Sequence, residues 1–199
     1  MKTYETMCDL LLNAVEDAGL SIASVEHYIE TITLDKEFIF VCVPEGEEDS
    51  PKVRAEISFV WDSTLTAASV YGQGRSPHGA GSDLELDTPP LNLDMLPIGG
   101  SPVMELYIKY QFEVPSAERV PELADRLRSI LRGVIGHENF PEVRFEVSVL
   151  PDGKVVVDDA FAFYWWQVDL GRDVEGEFDQ IMGEVHHVLS ALMTSDLGG

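Results

Sequence analysis

Residues 143–170, VRFEVSVLPDGKVVVDDAFAFYWWQVDL, contain the clearest fold signal of the chain. Apolar and polar residues alternate over residues 143–149, and the Pro-Asp-Gly triplet at 151–153 leads into a second run rich in β-branched and aromatic residues. Alternation with a period of two is typical of a strand with one buried face, and Asp-Gly between two such runs is typical of a hairpin turn. The stretch therefore predicts two antiparallel strands joined by a tight turn.

The rest of the chain adds three helices and further strands to this hairpin. Apolar residues recur every three or four positions in residues 4–18, 120–132 and 174–193, which predicts helices there, and Asp173 stands at the N-cap of the last one. Strands are predicted at residues 25–34, 37–44, 53–61 and 104–114. This order lacks βαβ alternation. We therefore expect an α+β protein with a largely antiparallel sheet, flanked by an N-terminal helix, a middle helix and a long C-terminal helix.

One long segment interrupts this pattern. Residues 72–102, GQGRSPHGAGSDLELDTPPLNLDMLPIGGSP, are rich in Gly, Pro and Ser, and a structureless stretch of that length is uncommon inside a compact domain. We expect residues 1–199 to form a single α+β domain with an insertion or arm at about 72–102.

The charge of the chain narrows the choice of partners. Asp and Glu number 36 against 13 Lys and Arg, which gives a formal net charge of −23. Such a field repels phosphate backbones and anionic membranes, so neither nucleic acid nor a membrane is expected as a partner. The acidity fits three explanations, namely solubility, adaptation to high salt, or complementarity to a basic protein.

The cysteines and the N-terminal residues bear on the compartment. Cys8 and Cys42 each lie in an apolar run, which is typical of buried free thiols and not of a disulfide. The first residues do not have the pattern of a signal peptide, and no apolar stretch is long enough to span a membrane. A cytoplasmic protein is therefore expected.

Motifs for catalysis are absent from the sequence. It contains no phosphate-binding loop, no dinucleotide fingerprint and no nucleophile elbow, so we expect no catalytic residues, no cofactor and no enzymatic activity. His186 and His187 are adjacent on a predicted helix and point about 100° apart, so they do not form a helical ligand pair. A small metal-dependent hydrolase is an alternative that needs His137, His186 or His187 to converge with carboxylates.

The aromatic run in residues 161–166 is the candidate site. Strand alternation divides these residues into two sets that face opposite sides of a sheet. We predict that Phe161, Phe163 and Trp165 face the core, because one face has to lie beneath a helix. The other set is too apolar for open water and is typical of an interface, unless the 72–102 arm or another protomer covers it. The residues predicted to bind a partner are Ala162, Tyr164 and Trp166.

Three segments together resemble a known family. They are VPSAERVPELADRLRSIL (114–131), VRFEVSVLPDGKVVVDDAFAF (143–163) and DVEGEFDQIMGEVHHVLSAL (173–192), and LLLNAVEDAGL (10–20) is similar to the family's first helix. The family is the YbjN-type domain of the type III secretion chaperone-like fold, in which Val-Pro enters the middle helix and a hairpin turns at Asp-Gly. Val114-Pro115 and Asp152-Gly153 match these features. The additional strands before the middle helix and the 72–102 insertion depart from the pattern.

The resemblance implies a small acidic homodimer that holds an extended segment of another protein on a hydrophobic surface, without cofactor or catalytic residues. Together with the charge, it predicts a non-enzymatic protein-binding module, chaperone-like or regulatory, that takes a basic partner. An alternative is an acidic immunity or antitoxin-like inhibitor that blocks one basic protein.

Overall fold

The computed structural model describes residues 3–46, 51–61, 103–114, 116–134 and 142–194. Six strands in these ranges form one antiparallel sheet. They are β1 (Leu20–Ile29), β2 (Lys36–Pro44), β3 (Val53–Trp61), β4 (Val103–Phe112), β5 (Glu142–Val149) and β6 (Val155–Asp169). Their order across the sheet is β1-β2-β3-β4-β6-β5, so β1 and β5 are its edges.

The helices are α1 (Tyr4–Asp17), α2 (Val120–Val134) and α3 (Val174–Thr194), with a short 3-10 turn, Ala117–Arg119, before α2. The predicted α+β class is confirmed, since an antiparallel sheet is combined with an N-terminal, a middle and a C-terminal helix. The first and last residues of each predicted helix lie within two residues of those observed. Among the described residues, no helix is long and apolar enough to cross a membrane.

The core lies between the helices and one face of the sheet. Every second residue of β3 and β4 is buried, and these side chains form one cluster with the apolar stripes of the three helices. The long helix α3 contributes Phe178, Ile181, Val185 and Leu189 to that cluster, among others. The helices therefore cover one face of the sheet, which we call the helix face; the opposite one is the open face.

The turn and cap predicted from the sequence are present. Gly153 adopts φ +83°, where residues with a side chain are strained, and the Lys154 amide donates to Asp152 Oδ1 (3.0 Å). The Leu150 amide donates to the Lys154 carbonyl (2.8 Å), which closes the β5–β6 hairpin. At the start of α3, the Gly176 amide donates to Asp173 Oδ1 (3.3 Å), so Asp173 is the N-cap as predicted.

Both cysteines are buried and free, as predicted. Burial raises the pKa of the Cys8 thiol to about 11 and that of Cys42 to about 12. Neither thiol is therefore a nucleophile near neutral pH. Residues 72–102 lie outside the described residues, so the insertion and the single-domain boundary stay predictions.

The assignment of faces in β6 was wrong. Tyr164 is 2% exposed and Ala162 is fully buried on the helix face, and the half-buried Trp166 packs against the core. Trp165, predicted to be core, is 54% exposed. The reason is the register with β4, which places Tyr164 opposite the buried Ile108. Cross-strand neighbours share a face, so the core set of β4 decides the core set of β6.

A pair of tyrosines occupies the middle of this core. The hydroxyl oxygens of Tyr110 and Tyr164 are 3.1 Å apart, so one phenol donates a hydrogen bond to the other in a site closed to water. Burial, together with the neighbouring phenol, raises the pKa of Tyr110, and burial raises that of Tyr164. The pair is thus a neutral hydrogen-bonded unit and has no role at a surface.

The carboxyl group of Glu184 on α3 lies near this pair. Gln180 Nε2 donates to Glu184 Oε1 (3.4 Å), and Oε2 is buried without a hydrogen-bond partner among the described residues. Burial, the largest cause, raises the pKa of Glu184. Burial in this position disfavours the ionised form of the Glu184 carboxyl. A negative charge on Glu184 near neutral pH therefore destabilises the folded state.

We expect Tyr164→Ala to lower the free energy of unfolding by about 3–5 kcal/mol, the usual cost of truncating a buried aromatic side chain. Trp165→Ala is the matched control on the adjacent residue and should cost less than about 1 kcal/mol, because its side chain faces solvent. Urea denaturation followed by circular dichroism measures both. Equal losses in the two variants would contradict the assignment of faces.

We expect Glu184→Gln to stabilise the protein more at pH 8 than at pH 4. A carboxyl whose pKa is raised in the folded state binds more protons folded than unfolded, so its contribution to stability falls as the pH rises above the unfolded pKa. Thermal unfolding at several pH values compares the variant with the wild type. Asp179→Asn, at an exposed position of the same helix, removes the same charge and serves as control. A pH-independent effect of Glu184→Gln would show that its carboxyl does not titrate differently on folding.

Candidate binding surface

The open face is built by the strand residues that alternate with the core set. In β3, β4 and β6 its side chains are mostly polar, charged or aromatic, and all except Phe161 are half-buried or exposed. They include Glu56, Ser58 and Val60 of β3, Glu105, Tyr107, Lys109 and Gln111 of β4, and Phe161, Phe163, Trp165 and Gln167 of β6.

Two exposed aromatic side chains lie at the centre of this face. Tyr107 of β4 is directly opposite Trp165 of β6, and Ser58 of β3 is opposite Tyr107. Trp165 is 54% exposed and Tyr107 is 46% exposed. The Tyr107 hydroxyl donates to Glu105 Oε2 (2.8 Å), and this bond is the main cause that raises the pKa of Tyr107. The strands thus present a tryptophan and a neutral tyrosine side by side to solvent.

The other two aromatic residues of β6 on this face are covered by cations of the same chain. Lys109 Nζ lies 4.5 Å from the centroid of the Phe161 ring, and the Arg144 guanidinium carbon lies 4.9 Å from that of Phe163. Phe161 is only 8% exposed as a result of this packing and of its contact with Phe163. In the described part of the chain the Trp165 ring has no such cover. Trp165 is therefore the aromatic anchor that the open face leaves available.

A shallow depression lies beside Tyr107. Its volume is about 200 Å³. Small-molecule sites usually occupy roughly 300–1,000 Å³, so this depression suits one side chain of a partner better than a cofactor. It is lined by Glu56, Ser58, Tyr107, Ile108, Lys109, Phe163 and Tyr164.

The charge of the open face is negative. Its basic side chains have partners within the chain: Lys109 Nζ lies 3.8 Å from Asp159 Oδ2, Arg144 Nε donates to Glu142 Oε1 (2.8 Å), and Arg54 Nε donates to Gln111. Its acidic side chains are more numerous than these bases. They include Glu26, Glu37, Glu56, Glu105, Glu142, Glu146, Asp159 and Asp169.

The two histidines of α3 are adjacent and make separate contacts. His187 is exposed, with Nδ1 2.7 Å from the Gly183 carbonyl oxygen, and the rings of His186 and His187 are 5.8 Å apart. Within the described ranges, no three His, Cys, Asp or Glu side chains come close enough to hold a metal ion. His137 lies outside these ranges.

The residues predicted to bind a partner do not form a common exposed surface, because the predicted assignment of faces in β6 was wrong. The predicted set of Ala162, Tyr164 and Trp166 is not gathered at the surface, whereas Trp165 and Tyr107 are. Tyr107 was missed, although its position between Glu105 and Lys109 in a strand with a polar face placed it among the exposed residues.

Comparison with known proteins gives no relative. No protein-family model, no curated protein and no solved structure matches the chain. The resemblance to YbjN-type domains stays a prediction.

Proposed function

We propose that the chain is a non-enzymatic protein-binding module, chaperone-like or regulatory, and that its open face holds a basic segment of a partner protein. The observation that carries this proposal is the exposed Trp165 beside Tyr107 in the middle of a sheet face surrounded by carboxylates. The proposal places the protein in the cytoplasm, as the sequence predicted.

The aromatic pair would supply the affinity. Tryptophan and tyrosine are enriched at the centres of protein interfaces, where a partner removes them from water. Exposed apolar side chains scattered singly need no explanation, but here two adjacent strands present theirs in register. The depression beside Tyr107 would take a side chain of the partner segment.

The carboxylates would select the partner. A formal charge of −23 attracts basic proteins over a distance and speeds their association at low salt. Glu105 lies two residues before Tyr107 on β4, and Glu56 lies diagonally across from Tyr107 on β3. Both carboxylates are within reach of Lys or Arg side chains on a docked segment. The preferred segment therefore carries both apolar and basic residues.

We expect Trp165→Ala to abolish partner capture without unfolding the protein. Tagged full-length protein would be incubated with extract of its native cells at low and high salt, and captured proteins quantified by mass spectrometry. Loss of a central aromatic anchor costs about 2 kcal/mol or more, which is roughly 30-fold in affinity. Capture should also weaken at high salt.

Met193→Ala is the matched control, because Met193 is 44% exposed on α3 and so lies away from the open face. It should capture the same proteins as the wild type. If Trp165→Ala captures them equally well, the open face is not the docking surface. A single stoichiometric basic protein in the wild-type sample would favour an immunity or antitoxin-like inhibitor over a chaperone with several clients.

The homodimer predicted from the sequence is part of the proposal. The side chains described on the open face are mostly acidic, and two such faces repel each other.

A further inference from the structure

The edge strand β5 has a sequence that is complementary to itself. Among the described strands, it pairs with β6 on one side and stands last in the order on the other. We propose that β5 of one copy pairs with β5 of a second copy, antiparallel and about a two-fold axis at Phe145, to form a dimer with a continuous sheet. This inference rests on the homodimer included in the proposed function and names the surface through which the two copies meet; it does not require a partner bound at the open face.

The backbone of β5 has the polarity that this pairing needs. The Leu150 amide donates to the Lys154 carbonyl, so the backbone groups of Leu150 point towards β6. In an antiparallel strand these groups alternate in direction, so those of Val143, Phe145 and Val147 point out of the sheet edge. The bulge between the two strands puts its extra residue in β6, since Glu146 pairs with Asp159 and Val147 pairs with Val157. The alternation along β5 is therefore unbroken.

The side chains match in the same register. With Phe145 on the axis, Arg144 lies opposite Glu146 of the second copy, and the axis repeats this pairing. Arg144 and Glu146 are both exposed and both on the open face, so the two ion pairs form without burying a lone charge. Val143 lies opposite Val147 of the second copy, and Val147, now 52% exposed, becomes covered.

Neighbouring registers are worse. An axis at Arg144 places Arg144 opposite itself and Glu142 opposite Glu146, whereas an axis at Glu146 places that carboxylate opposite itself. Like charges directly opposite each other destabilise a strand pair. An axis at Val143 also sets Arg144 opposite Glu142, but it pairs only residues 142–144, because β5 begins at Glu142. The register at Phe145 combines the opposite-charge pairs with pairing over residues 142–148.

The two edge strands differ in their ability to form ion pairs with a second copy of themselves. β1 contains Glu26 and His27 but no Lys or Arg, so no register of β1 with itself forms a carboxylate–guanidinium or carboxylate–ammonium pair. β5 also lacks the proline and lysine residues by which edge strands usually avoid pairing. General repulsion between two acidic chains is screened beyond about 8 Å at physiological salt, which leaves the local pairing to decide.

Charge reversal tests the register directly. Full-length protein would be studied by sedimentation velocity over a range of concentrations as wild type, Arg144→Glu, Glu146→Arg and the double variant. The wild type should dimerise. Each single reversal places like charges opposite each other and should weaken the dimer at least tenfold. The double variant restores opposite charges across the axis and should regain dimerisation.

Rescue by the double variant separates this account from a structural role of Arg144. Arg144 also bonds Glu142 and covers Phe163, and the double variant restores neither contact. Glu26→Arg, on the other edge, is the control and should leave the dimer unchanged; circular dichroism checks folding throughout. A monomeric wild type, failure of the double variant to dimerise, or dissociation by Glu26→Arg would each overturn the proposal.

Discussion

The structure depends on the packing of its helices against one face of the sheet. A strand sends successive side chains to opposite faces, and all apolar stripes of the described helices meet one of them. That face is closed by Phe38, Phe40, Ile57, Leu106 and Ile108, which are fully buried. The other face carries mostly polar and aromatic side chains, and a ligand that binds a face of the sheet meets them there.

The sequence predicts which residues share a face but not which face is buried. Period-two alternation correctly separated Phe161, Phe163 and Trp165 from the residues between them. Alternation could not show which of the two sets faces the core, because a register slip of one residue relative to β4 exchanges the two faces of β6. β4 was easier to interpret, since its two sets differ sharply in polarity, whereas both sets of β6 are apolar. The decisive information was the pairing of Ile108 with Tyr164.

Helices were predicted more accurately than the faces of β6 because helix signals are local. Apolar periodicity, the cap at Asp173 and the turn at Gly153 each involve residues close in sequence. The aromatic pair of Tyr107 and Trp165 joins strands that are far apart in the chain, so only the sheet brings it together. The cover that Arg144 gives Phe163 is likewise a product of strand pairing.

Strand order connects the proposed surface with the proposed dimer. β6, which carries Trp165, lies between β4 and the edge strand β5. A two-fold axis perpendicular to the sheet at β5 would keep both open faces on the same side, with the two Trp165 side chains flanking the axis. Such a dimer would present two anchors to one long partner segment, which raises its effective affinity without new contacts.

Hydroxyl-radical footprinting of the free, full-length protein tests the central claim most directly, because oxidation of aromatic side chains follows their contact with water. The structure predicts rapid modification of Trp165 and Tyr107, and protection of Trp61, Tyr110 and Tyr164, which are 3%, 0% and 2% exposed. Protection of Trp165 together with modification of Tyr164 would contradict the account, since it would place the core on the opposite face of the sheet.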